Sequence, residues 1–163
     1  MLDTSKATRQ YLVVRSDEGD SPRNTPHLFK ARASNTAGRF DFMTGAIAPR
    51  TGPPLHFHVH QDDTFYVLDA ILTVQVEDDI FDVGPRDFLS VPPRVAHTFD
   101  NLHNGDKPVR GINLMTPGGH FDMFNEMGGV GPGPDQADTL REVSARHGTI
   151  VVGPPLRVTL DLG

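Results

Sequence analysis

The sequence predicts a mainly β fold, a sandwich or closed barrel of many short strands followed by short C-terminal helices. Two observations carry this. Sixteen glycines and fourteen prolines among 163 residues are many for a helical protein, and they fall between short apolar runs, as turns fall between strands. Beyond residues 117–119 the pattern changes, and two short stretches take on helical character around a glycine- and proline-rich segment at 128–134.

Taken in order, the candidate strands are residues 11–15, 27–33, 39–47, 55–60, 64–68, 72–77, 79–83, 87–91, 97–101 and 109–116. Glu77, Asp78 and Asp79 fit a tight hairpin, and Gly84-Pro85 must break a strand because proline cannot donate to a ladder. Residues 120–127 and 135–147 read as two helices packed outside the barrel. In the second, Leu140, Val143 and Ser144 share a face, and Gly148 is placed to stop it. One domain spans residues 1–163, with a barrel core at about 25–116 and a helical tail at about 119–148.

The formal net charge of −6 gives no basic footprint for nucleic acid or an anionic membrane. With no cysteine, the fold has neither disulfides nor thiolate ligands, which suits a reducing cytosol. Residues 1–10 are polar and lack the apolar run of a secretory leader. No later stretch approaches the roughly 20 apolar residues of a membrane span. The expected location is the cytoplasm. No phosphate-cradling glycine loop and no Gly-x-Ser-x-Gly elbow is present.

The chemistry concentrates in Gly52-Pro53-Pro54-Leu55-His56-Phe57-His58-Val59-His60-Gln61-Asp62-Asp63. Residues two apart on a strand share a face, so an extended 55–60 aims His56, His58 and His60 to one side. Asp63 follows at the start of another strand-like run, and His97 opens a later one. Imidazole and carboxylate suit Mn, Fe, Co, Ni, Cu or Zn ions, and three or four such groups leave positions open for water or substrate.

Residues 52–101 resemble the cupins, whose first motif runs His-x-His, a few residues, Glu, then Gly, and whose second runs Pro-x-Gly-x-x-His-x-x-x-Asn. The resemblance implies a double-stranded β-helix, the jelly-roll barrel, and one divalent transition metal held by His56, His58 and His97. Pro92 and Asn101 stand at the second motif's proline and asparagine. The glutamate position falls on Asp63, one methylene shorter, so His60 or Asp62 is a possible substitute ligand. Ala70, Arg86 and Arg94 replace motif glycines, so the turns there should be built differently.

Thr51-Gly52-Pro53-Pro54-Leu55-His56 and Leu114-Met115-Thr116-Pro117-Gly118-Gly119-His120-Phe121 are similar to small single-domain cupins related to quercetin dioxygenase, as is the ending through Val151-Val152-Gly153-Pro154-Pro155. That resemblance implies a metal-dependent dioxygenase acting on a flavonol-like or other enolisable aromatic molecule with dioxygen. Asp63 would be the fourth ligand or the catalytic base. A pocket of Phe40, Phe42, Phe99 and Met115, with Phe121 or Phe124, would hold the ring, while His103 and His120 are expected to be exposed. A non-oxidative isomerase, lyase or cyclase, or a non-catalytic binding cupin, is the alternative. The family further implies a homodimer, with residues 11–15 as the exchanged edge strand.

Overall fold

The structure, a computed structural model, describes residues 11–162; the polar opening at residues 1–10 lies outside the described residues. The strands are β1 (Leu28–Ala31), β2 (Asp41–Ile47), β3 (Pro54–His58), β4 (Asp62–Asp69), β5 (Leu72–Val76), β6 (Asp79–Val83), β7 (Phe88–Val91), β8 (His97–Asp100), β9 (Val109–Thr116) and β10 (Thr149–Pro155). The helices are α1 (His120–Met127), α2 (Gln136–Arg146) and α3 (Leu156–Thr159). Two five-stranded sheets, ordered β1-β2-β9-β4-β7 and β10-β3-β8-β5-β6, form a jelly-roll sandwich with antiparallel pairing throughout.

Strand alternation decides what enters the space between the sheets. On β4 it buries Asp63, Phe65 and Val67, and on β9 Val109, Asn113 and Met115. Val67, Leu72, Val74, Val83 and Val109 pack into an apolar cluster backed by Phe99, each fully buried aliphatic contributing roughly 1.5–3 kcal/mol. The β5–β6 hairpin pairs Val76 with Asp79 across the two residues Glu77 and Asp78, as its acidic turn predicts.

Several expectations need correction. Residues 11–15 form no strand, and Tyr11 is 88% exposed; no neighbouring strand receives them. Residues 149–155, left unassigned in the strand pattern, form β10 on the outer edge of the second sheet, beside β3. The short helix α3 follows, and its Arg157 reaches the fully buried Asp100 at 2.9 Å. The helical tail does more than cover the barrel. Met123 of α1 is buried, and Phe121 meets Phe29 edge to face at 5.2 Å between ring centres. Gly148, at φ 77°, ends α2 as expected.

Candidate metal centre

His56 and His58 lie two apart on β3, and His97 sits on the neighbouring β8 directly opposite His56. Asp63 enters from β4 in the facing sheet. The four side chains are buried, and one donor atom from each lies within 4.8 Å of all the others. Asp63 Oδ2 is 3.3 Å from His58 Nε2 and 3.1 Å from His97 Nε2. The shorter aspartate therefore reaches the imidazoles without help.

What holds each ring in place also settles which nitrogen faces inward. His56 Nδ1 is 2.8 Å from the Pro54 carbonyl and His97 Nδ1 is 3.0 Å from the Val95 carbonyl. A carbonyl only accepts, so both Nδ1 atoms carry the proton and donate. His58 Nδ1 lies 3.0 Å from Thr149 Oγ1, supplied by β10. His58 and His97 thus turn their Nε2 atoms toward Asp63, and His56, its Nδ1 engaged by Pro54, keeps Nε2 free among the described residues. This is how metal-binding histidines are oriented by the partner of the other nitrogen. By its chemistry, three imidazoles and one carboxylate whose donor atoms lie close together, the set fits a transition ion.

Burial, then the neighbouring His97 and His58, push His56 down to about 4. Burial would raise Asp63, but hydrogen bonds from His58 and His97 outweigh it and hold the carboxyl well below the usual carboxylate range. For His97 burial pulls downward and Asp63 wins, raising it. A cation entering between these donors competes with protons for the imidazole nitrogens.

His60 is exposed on the bend after β3 and stands outside the cluster. The expected row of three imidazoles fails because the chain leaves one sheet after His58 and enters the other at Asp62, so alternation stops at this corner. Asp62 is likewise absent from the cluster.

A cavity of about 530 Å³ adjoins the cluster; His56, Asp63, Phe65, Phe99, Met123 and Phe124 are among the residues on its wall. Phe99 and Phe124 line it. Phe40, Phe42, Met115 and Phe121 are not on the wall. On β2 the inward set is Met43, Gly45 and Ile47, one residue out of phase with Phe42, which turns to the other face. Met115 does point inward but is packed solid at 1% exposure.

Two polar residues escaped the sequence reading. Asn113 donates its amide to Asp63 Oδ1, and a lone asparagine in a strand carries no motif to announce this. His120, expected to be exposed, is 8% exposed and lines the cavity, 5.3 Å between ring centres from His58. Burial, then His58, push it down to about 3. His103 is exposed, as anticipated.

Residues 43–115 match the family model described as cupin domain. The chain is 29% identical over 119 residues to quercetin 2,3-dioxygenase of Bacillus subtilis (strain 168), covering 71% of this chain and 34% of that protein. It thus spans about a third of that curated relative's length. Among solved structures it is similar to KdgF from Halomonas sp., with TM-score 0.56 and 17% identity over 66% of this chain and 94% of that one. A double-stranded β-helix protein from Klebsiella pneumoniae matches with TM-score 0.52 and 17% identity, covering 67% of this chain and 92% of that one. At these identities the two structures support the fold alone.

Proposed function

We propose, from the match of residues 43–115 to the cupin domain model, that the chain is a cupin and a mononuclear metal enzyme, a dioxygenase acting on a flavonol-like or other enolisable aromatic molecule. The observation carrying this is the convergence of one donor atom each from His56, His58, His97 and Asp63, all within 4.8 Å of one another, beside a predominantly apolar cavity of about 530 Å³. The likeness to quercetin 2,3-dioxygenase supports the oxidative reading.

His56, His58, His97 and Asp63 would hold a divalent Mn, Fe, Co, Ni, Cu or Zn ion, which supplies Lewis acidity that ionises a substrate hydroxyl near neutral pH. Asp63 is a ligand in this reading and not the base. Both its oxygens are engaged, by His58 and His97 on one side and Asn113 on the other, and a carboxylate held so far below its usual range takes up protons poorly. Phe65, Phe99 and Phe124 enclose a planar apolar substrate and exclude water from it. A cytoplasmic homodimer completes the proposal. Among the described residues no helix is long and apolar enough to cross a membrane.

The test begins with elemental analysis of protein expressed with added metals, unaltered and as His97→Ala. Near-stoichiometric metal that disappears in the variant is expected, and metal-free protein in both would overturn the reading. Oxygen uptake with quercetin then separates the classes. Turnover of substrate without oxygen consumption identifies an isomerase, lyase or cyclase, and binding without turnover identifies a binding module.

A further inference from the structure

Two more imidazoles stand on the cavity wall and belong to no metal-binding group. His120 opens α1, is more than nine-tenths buried, and makes no hydrogen bond among the described residues; its contacts are the rings of His58 and Phe124. His27 precedes β1, and its Nδ1 is buried with no hydrogen-bond partner. Each of the two rings lies 4.8 Å from that of Phe124. His58, His120, Phe124 and His27 therefore form a continuous line of rings leading away from the metal donors. Gly45 leaves room for this arrangement: a Cβ there would come within 3.1 Å of His27 Nδ1.

A neutral imidazole offers one N–H and one lone pair, and leaving a buried polar atom unsatisfied is destabilising. Native proteins retain few such atoms, and retain them where a ligand supplies the missing partner. Here one such atom, His27 Nδ1, and the buried imidazole of His120, which makes no hydrogen bond among the described residues, stand on either side of Phe124 on the wall of a cavity lined otherwise mostly by apolar side chains. Packing alone would be served better by leucine or phenylalanine.

We infer that His120 and His27 are specificity-determining residues that hydrogen-bond to oxygen substituents of a flat, largely apolar ligand. His120 reads a group near the metal donors and His27 one beyond Phe124. The ligand class is thus an aromatic molecule carrying hydroxyl or carbonyl groups additional to the oxygen held at the metal. This rests on the metal-enzyme reading only in taking His56, His58, His97 and Asp63 as the end that holds the first oxygen.

The experiment compares 3-hydroxyflavone with 3,5,7-trihydroxyflavone, whose two added hydroxyls are the only difference. Binding to the metal-loaded protein is read by fluorescence without oxygen. The unaltered protein should favour the trihydroxy compound by roughly tenfold or more. His27→Phe and His120→Phe should each erode that preference, and the double variant should bind both alike. Their ligand-free melting temperatures should stay level or rise, because each change removes an imidazole that makes no hydrogen bond among the described residues. Equal or absent binding of the two probes by the unaltered protein overturns the inference, as does a preference surviving in the double variant. A fall in melting temperature of more than about 5 °C would mark the imidazoles as structural and overturn it too. Probe preference without oxygen uptake would sink only the dioxygenase reading, whereas oxygen uptake with no preference would sink only this one.

Discussion

Asn113 fixes the carboxylate of the candidate metal set. Its amide donates to Asp63 Oδ1 and to the Thr64 carbonyl at 3.3 Å, so Oδ2 is left aimed at His58 and His97. Replacing Asn113 with leucine keeps the bulk but frees the carboxylate to rotate. Loss of such a supporting hydrogen bond lowers metal affinity about 10–100-fold, which chelator competition would measure; an affinity unchanged by Asn113→Leu would show that Asp63 is held by other means. At this scale the sequence was partly legible. His56, His58 and His97 announce themselves because spacing of two on a strand and a motif histidine on a later one are local patterns. Asn113 and His120 do not, since each gains its role from an element distant in the chain. His60 misleads because the chain switches sheets immediately after His58, an event that spacing cannot reveal.

Two turns share one construction. In Gly84-Pro85-Arg86-Asp87 the Asp87 N–H donates to the Gly84 carbonyl at 3.0 Å, and in Pro92-Pro93-Arg94-Val95 the Val95 N–H lies 3.4 Å from the Pro92 carbonyl. Their third residues sit at φ 73° and 69°, and Ala70, in the β4–β5 connection, at 62°. The sequence reading expected these turns to be rebuilt where glycine is missing; instead the left-handed backbone is kept and the side chain bears the strain. The left-handed region costs a side-chain-bearing residue about 1–2 kcal/mol, and glycine's greater freedom in the unfolded chain offsets about 0.5–1 kcal/mol of any gain. Arg86→Gly and Ala70→Gly should therefore each stabilise by about 0.5–1 kcal/mol, a rise in denaturation midpoint with unchanged slope. A lowered midpoint would mean that these side chains make compensating contacts. Most strands were readable because turns of this kind punctuate them. The exception, β10, has an ending of Val151-Val152-Gly153-Pro154-Pro155 that reads as an interruption, yet it lies on a sheet edge with only β3 beside it, where proline's missing N–H costs nothing.

The molecule as a whole carries its least hydrated ionisable groups between the two sheets, and this sets its response to acid when metal is removed. His56 is pushed down to about 4 and His120 to about 3, whereas an unfolded chain protonates both near 6.5. Below pH 6.5 the unfolded state therefore binds protons that the folded state refuses, and stability falls as pH falls. Each group contributes a slope of up to about 1.4 kcal/mol per pH unit, continuing to about pH 4 for His56 and about pH 3 for His120. His97 acts in the opposite sense, since its raised value gives stability that is complete below pH 6.5 and lost only at higher pH. Asp63 loses its contribution only as pH drops below the ordinary carboxylate range. Between pH 6 and 4.5 His56 and His120, joined by His27, which burial also lowers, dominate the acid response of the cavity. Chelator-treated protein should lose stability across that window in urea titrations, and His120→Phe should reduce the slope. A slope unaffected by the substitution would place the acid sensitivity elsewhere in the chain. Bound metal adds RT ln(1 + [M]/Kd), about 2.7 kcal/mol at a hundredfold excess over Kd, and because it competes with protons for the same nitrogens, its stabilisation should shrink toward the acid end of the same window.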